Sequence, residues 1–149
     1  MTEAGSDPEV WAQHPDPKRY EPDRFRQFFD DALTSGGALV IEERETGEII
    51  GTSRYHGLDE DAGCVEIGWT FLIRKHWGGP TNREVKDLML RHAFEIVPRV
   101  IFRIGAGNLR SRRAVEKLGG RLTGEVKTPR GPGVVYELDA AAFERTRAS

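Results

Sequence analysis

The sequence predicts a mixed α/β (α+β) protein, and three observations carry that prediction. Helical and strand patterns alternate along the 149 residues instead of falling into separate blocks. One apolar strand pattern, V-E-I-G-W-T-F-L-I over Val65–Ile73, runs into a glycine turn and then an amphipathic helix that lasts to about Ile96. A second capped helix, Asn108 to Leu118, stands between later strands and ends on Gly119-Gly120.

Taken in order, Ser6 and Glu9 have capping-box spacing, Pro8 suits an early helical position and Pro15 is a stop, so a first helix is predicted over Ser6–His14. D-P-K-R-Y-E-P-D reads as a connector. Asp23 then caps a helix to Ser35 with Phe25, Phe28, Phe29, Ala32 and Leu33 on one core-facing stripe, closed by Gly36-Gly37. Ala38–Glu43 and Glu48–Tyr55 form a hairpin around Thr46-Gly47. His56 to Gly63, with Asp59-Glu60-Asp61, reads as an acidic loop. Cys64–Arg74 is the long strand: Val65, Ile67, Trp69, Phe71 and Ile73 share one face, and Glu66, Gly68, Thr70 and Leu72 share the other.

After the turn, Thr81 and Glu84 have capping-box spacing, so a helix starts at Thr81 or Asn82 with Val85, Leu88, Met89, His92, Ala93 and Ile96 buried, and Pro98 breaks it. Val100–Ile104 is a strand. Leu122–Lys127 and Val134–Asp139 close the chain as strands joined by T-P-R-G-P-G, and the tail from Ala140 reads as weakly ordered or short-helical.

Length fits one domain, 1–149, with room for a core. A hydrophobic content of 38% and a charged content of 31% describe a soluble globular protein. The net charge of −2 does not favour nucleic-acid binding, and the local cluster Arg110, Arg112 and Arg113 suits a phosphate-sized partner better than a duplex. The lone cysteine, Cys64, excludes an intramolecular disulfide and reads as a buried thiol. No Cys/His set has zinc-ligand spacing, so no metal is expected. The amino terminus has no signal-peptide pattern and no apolar run spans a bilayer, which predicts a cytoplasmic protein.

The turn carries its own chemistry. Backbone N–H groups left free at a helix start, backed by the helix dipole, favour an anion. With E-I-G-W at 66–69, W-G-G at 77–79, Glu84, and N-L-R-S-R-R-A-V-E-K-L-G-G at 108–120, the chain resembles the GNAT superfamily of N-acetyltransferases. It is most similar to the branch that acetylates the amino termini of ribosomal proteins. The resemblance covers nearly the whole chain and is strongest over 64–125.

It implies a mixed, mostly antiparallel sheet with helices on both faces, its fourth and fifth strands splayed around acetyl-CoA. It also implies that Phe71, Leu72 and Ile73 hold the pantetheine arm through their backbone. The turn with Lys75, Trp77, Gly78, Gly79, Thr81 and Asn82 would hold the pyrophosphate. Asn108 would hydrogen-bond the arm, and Ser111 and Arg112 would face the distal half of the cofactor. Glu66 corresponds to a glutamate that serves as general base, and Ser111 to a serine that either protonates the thiolate or closes the helix start. The position of the tyrosine acid found in other members is Val115.

A bound ammonium must lose a proton before attack, near ~10.4 for lysine and near ~8 for an α-amine, so a base is useful. A thiol near ~8.5 leaves tolerably well unaided. His76 and Trp77 either touch the phosphates or pack under the loop. Tyr55 and His56 either line the acceptor pocket or lie on a surface loop. Asp59-Glu60-Asp61 either attracts a cationic amine or is a solvated face.

Two departures stand out. Pro80 occupies a glycine position of the turn Lys75-His76-Trp77-Gly78-Gly79-Pro80 and has no N–H to donate; Asn82 is the candidate replacement donor. The family's first strand has no counterpart, so the sheet is one strand short or begins upstream, and a bare edge favours a homodimer. The expected function is acetyl transfer from acetyl-CoA to a primary amine (a protein amino terminus, a lysine or a small molecule) by direct attack in a ternary complex. The alternative is a non-catalytic module binding CoA or another ligand, and a third reading is a purely structural or interaction domain.

Overall fold

The computed structural model describes residues 4–11, 20–77, 79–128 and 131–148. Its elements are α1 (Pro8–Trp11), α2 (Pro22–Ser35), β1 (Ala38–Glu42), β2 (Ile49–Asp59), β3 (Cys64–Leu72), α3 (Thr81–Phe94), β4 (Arg99–Gly105), α4 (Leu109–Leu118), β5 (Arg121–Thr128), β6 (Gly131–Asp139) and α5 (Ala140–Ala148). The strands form one six-stranded sheet in the order β1-β2-β3-β4-β6-β5. The pairs β1·β2, β4·β6 and β5·β6 are antiparallel and β3·β4 is parallel, which gives the mixed α/β, mostly antiparallel sheet expected. The chain divides into two compact units, Met1–His56 with Gly68–Val85 and Gly57–Ile67 with Lys86–Ser149.

In the first unit the core is aromatic. Trp11 is fully buried, with its ring centroid 4.7 Å from that of Phe71 and 5.4 Å from that of Phe28, and Phe25 joins the cluster. The Trp11 indole donates to Gly5 O at 2.8 Å. Four residues make a helix too short to persist alone. Burying an aromatic contributes about 2–3 kcal/mol, so α1 is held by its last residue. A 3₁₀ turn, Ala4–Ser6, precedes α1, which starts at Pro8 and not at Ser6; positions 12–14 of the predicted helix lie outside the described residues.

Helix α2 starts at Pro22, not after Asp23, and Glu21 makes no side-chain cap bond. A proline at the first helical position has its φ already set. Asp23 then falls in the first turn, where its charge still complements the dipole. Gly36, at φ 73, ends the helix as predicted. Phe25 and Phe28 are buried but Phe29 is 37% exposed, so the stripe is narrower than predicted; the side chains of Ala32 and Leu33 lie outside the described residues.

Strand β2 extends to Asp59, so His56–Asp59 are strand and not loop. The turn that follows is set by Asp59: its Oδ1 accepts from Ala62 N at 2.9 Å and its carbonyl from Gly63 N at 2.8 Å. Strand β3 stops at Leu72, and Arg74–His76 is a 3₁₀ turn, which leaves Ile73 outside the strand. Its alternation breaks at Trp69, a left-handed residue at φ 53, after which Phe71 and Leu72 are buried in succession. Gly51 on β2 permits the close approach here, because a Cβ would lie 2.0 Å from Phe71 O. Cys64 is half-buried rather than buried.

In the second unit, α3 buries Lys86, Met89, Leu90 and Ala93, followed by Val97. Leu88 is 62% and Ile96 49% exposed, so the buried face lies one residue round from the predicted stripe. The predicted His92 is also exposed. A lysine at a core position hid that face from a hydrophobicity pattern. Asn108 caps α4 through Oδ1, which accepts from Ser111 N at 3.3 Å, and Gly119 ends it at φ 105. The tail is an ordered nine-residue helix, α5. Asp139 Oδ1 caps it by accepting from Ala142 N at 2.7 Å, Phe143 is 1% exposed, and Thr146 Oγ1 donates to Leu118 O at 3.1 Å.

Candidate active site

In the first unit, the end of β3 and the turn after it form one bonded structure. The Trp77 indole N–H donates to Leu72 O at 2.8 Å, and the Trp77 backbone N–H donates to Arg74 O. Ile73 N donates to Ile50 O at 2.9 Å, and Ile73 O accepts from His76 N at 3.0 Å. Both Ile73 backbone groups and one lone pair of Leu72 O are therefore committed within the protein. Trp77 packs against the aromatic core, under the turn.

His76 Nδ1 is 2.9 Å from Thr81 Oγ1, and its Nε2, 3.8 Å from a Glu43 oxygen, has no hydrogen-bond partner among the described residues. Lys75 Nζ sits 3.0 Å from Glu48 Oε2, and that hydrogen bond holds its ammonium above the ordinary lysine range. Gly78 lies outside the described residues. Gly79 has no atom within 4 Å of where a Cβ would stand.

The first helical bond of α3 runs from Glu84 N to Pro80 O at 2.9 Å, which makes Pro80 the cap position and Thr81 the first helical residue. Thr81 is therefore not the cap its spacing with Glu84 suggested. Proline suits the start of a helix because no N–H is demanded of it there. The N–H groups of Thr81 and Asn82 belong to the first turn, where helices leave donors unused by their own ladder.

In the second unit, β3 and β4 pair in parallel over Cys64↔Arg99, Val65↔Val100 and Glu66↔Ile101. Glu66 is half-buried, and Arg103 on β4 brings a guanidinium nitrogen to 3.8 Å of its Oε1 while remaining 57% exposed. The carboxylate thus has a cross-strand partner in Arg103, held loosely. Asn108 is 8% exposed; Oδ1 serves the helix cap, and Nδ2 donates to no described residue. Ser111 uses its N–H in that cap, and its hydroxyl has no hydrogen bond among the described residues.

Arg112 is turned inward: Nε donates to Tyr136 Oη at 3.2 Å and a terminal nitrogen to Ala106 O at 2.9 Å. Tyr136, fully buried, passes the bond on to Glu116 at 2.9 Å. Arg112 therefore braces α4 against β6. Val115, at the family's tyrosine position, is a core residue at 4% exposure.

The acceptor-side candidates divide. His56 packs edge-on to Trp69, ring centroids 5.1 Å apart. Tyr55 is half-buried, and burial pushes its hydroxyl up to about 12. Asp59 shapes a turn, and Asp59-Glu60-Asp61 are exposed.

The decisive comparison is with protein-family models: residues 1–121 match the acetyltransferase (GNAT) domain. The chain belongs to the GNAT acetyltransferases. A GCN5-related N-acetyltransferase from Brucella melitensis superposes with a TM-score of 0.84 at 18% identity, covering 99% of this chain and 75% of that one. A protein from T. thermophilus assigned as an acetyltransferase gives 0.76 at 28% identity, covering 99% and 87%. The aminoglycoside acetyltransferase AAC(6')-Ib, in complex with ribostamycin and coenzyme A, gives 0.75 at 22% identity, covering 98% and 89%. Comparison with curated proteins returned no match.

Sequence reading of this acetyltransferase missed two features. One is the Tyr136–Arg112 brace, for which an aromatic in the last strand is the only signal. The other is Arg54, a buried arginine on β2 whose guanidinium lies 4.7 Å from the Trp69 ring centroid. The signal for it was present, since T-S-R-Y puts a full charge inside a strand. Among the described residues no helix is long and apolar enough to cross a membrane.

Proposed function

We propose that this GNAT protein is an acetyl-CoA-dependent N-acetyltransferase, with residues 1–149 as one catalytic domain, that acts on a primary amine by direct attack. The observation that carries the proposal is Asn108: a buried side chain whose oxygen caps α4 and whose Nδ2 has no partner among the described residues. That amide nitrogen is a donor available to a ligand carbonyl. In the first unit, a helix start offers donors of its own. The first turn of α3 offers backbone N–H groups from Thr81 and Asn82, and the Asn82 side-chain amide is the candidate replacement for the donor that Pro80 lacks. Lys75, paired with Glu48 and exposed, is a weaker candidate for the phosphates, and Arg112, held by Tyr136, weaker still.

Acetyl-CoA supplies the activated acetyl thioester. Glu66 accepts the proton that a bound ammonium must lose before it attacks. The Ser111 hydroxyl, at the start of α4, donates a hydrogen bond that stabilises the leaving thiolate, which takes its proton from solvent; Val115 cannot perform that role. A serine three residues after Asn108, with no tyrosine at 115, supports placement near the branch that acetylates ribosomal-protein amino termini. AAC(6')-Ib, whose complex contains an aminoglycoside and coenzyme A, supports the amine as acceptor class. The edge strand β1, with Leu39 and Val40 exposed, supports a homodimer through strand pairing.

Thermal unfolding with acetyl-CoA tests the cofactor directly. At 100-fold over Kd the ligand adds about 2.7 kcal/mol to stability. A midpoint unmoved by millimolar acetyl-CoA would refute the proposal.

A further inference from the structure

Among the described residues of the first unit, Arg54 has the most buried polar atoms without a hydrogen-bond partner. The residue is 6% exposed, and its Nε and one terminal nitrogen, Nη2, are shielded from solvent with no hydrogen-bond partner among the described residues. A guanidinium cannot shed its charge, so a buried one requires partners. Aromatic faces supply part of the compensation: Trp69 lies 4.7 Å and Phe28 5.6 Å from the guanidinium carbon. Asp31 on α2 attracts Arg54 electrostatically without a hydrogen bond to it, and accepts instead from Gln27 Nε2 at 2.9 Å.

The two unpartnered nitrogens are not an arbitrary pair. Nε–H and Nη2–H form one edge of the guanidinium plane, the edge that receives both oxygens of a carboxylate in a fork. Part of the aromatic wall against the guanidinium is itself strained. Trp69 holds a left-handed φ of 53 inside β3, a conformation that costs a bulky residue free energy and that collects at functional sites. His56 packs edge-on against the Trp69 ring at 5.1 Å. A strained tryptophan, a stacked guanidinium and an empty bidentate edge together describe a receptor for one carboxylate.

We propose that Arg54, backed by Trp69, is a specificity-determining residue that binds a carboxylate on the acceptor, so that the amine acetylated is an amino acid or a short peptide. The inference rests on the acetyltransferase reading and narrows its acceptor. It runs opposite to a polycationic acceptor, which an unpaired arginine repels. Binding requires a small displacement of the side chains that cover the edge, since both nitrogens are shielded in the free protein.

The test compares the twenty free amino acids with their carboxamides as acceptors, using wild type, Arg54→Met and Arg54→Lys. Thiol release from acetyl-CoA is the activity readout, and the unfolding midpoint with each compound and with sodium formate is the binding readout. Wild type is expected to favour at least one free acid over its amide by about 30-fold or more in kcat/KM, chiefly through KM. Arg54→Met is expected to erase that preference while remaining at least as stable as wild type without ligand, since it removes an unpaired buried charge. Arg54→Lys keeps the charge, loses the fork and is expected to fall between.

Equal use of acids and amides, or a preference that survives in Arg54→Met, would overturn the proposal. So would turnover of neither set by enzyme that acetyl-CoA stabilises. If acetyl-CoA itself produces no stabilisation, the acetyltransferase reading fails separately. The arginine site is then decided by whether the free acids and formate raise the midpoint of wild type but not of Arg54→Met.

Discussion

The indole N–H of Trp77 donates to the carbonyl of Leu72 at 2.8 Å and so ties the turn before α3 to the last residue of β3. A turn held in this way has its shape before any ligand arrives. Trp77→Phe keeps a ring in the aromatic cluster and removes the donor, so unfolding free energy should drop by about 1 kcal/mol. Acetyl-CoA affinity should drop with it as the turn loosens. Chemical denaturation and a cofactor titration of the same variant measure both.

Asn108 performs two tasks with two atoms, and they are separable. Asn108→Asp retains an oxygen for Ser111 N and adds a charge that suits a helix start, so stability should stay within about 0.5 kcal/mol of wild type. The same change removes Nδ2 and should weaken acetyl-CoA binding about tenfold or more. Asn108→Ala should lose both, at about 1 kcal/mol for the cap. An aspartate variant with wild-type affinity would relieve Nδ2 of any cofactor role.

Glu66→Gln keeps the shape of the side chain and removes its basicity. The pair with Arg103 spans 3.8 Å with the guanidinium more than half exposed, so stability should change by less than about 1 kcal/mol. Turnover should fall by about 10²–10⁴-fold at neutral pH. A fall in stability with unchanged turnover would mean that the glutamate is only a cross-strand partner.

Lys86 is buried in α3, and burial pushes its ammonium down to about 8 from an ordinary 10.5. The unfolded chain therefore binds the proton more tightly, and between about pH 8 and pH 10.5 it holds more protons than the folded protein. Stability gains from this residue as pH rises through that window, by roughly 3 kcal/mol in full, and carries the whole penalty below about pH 8. Unfolding of wild type and Lys86→Met should show the variant's relative advantage shrinking as pH rises from about 8 to 10.5. A constant difference would mean that Lys86 keeps its ordinary affinity for the proton.

Much of the sheet was legible because strands and turns announce themselves locally. The hairpin at Thr46-Gly47, the β3–turn–α3 succession and the Asn108 cap each follow from a few adjacent residues. What failed depended on tertiary context. Lys86 sits where a pattern reader expects an apolar residue, so the buried face of α3 was placed one residue round. Pro22 displaced Asp23 as the start of α2. The left-handed turn at Trp69 put Phe71 and Leu72 into the core together, which strict alternation forbids. At the site, Asn108 and Ser111 were readable from the motif, whereas the commitment of Arg112 to Tyr136, 24 residues away, was not.

The central claim is that this chain moves acetyl groups onto amines. The most direct measurement is release of free thiol from acetyl-CoA, followed continuously across aminoglycosides, short peptides and free amino acids, with mass spectrometry of the products. The account predicts release that depends on the amine and yields the N-acetylated compound. Thiol release that never rises above the rate without amine, from protein that acetyl-CoA demonstrably stabilises, would contradict it.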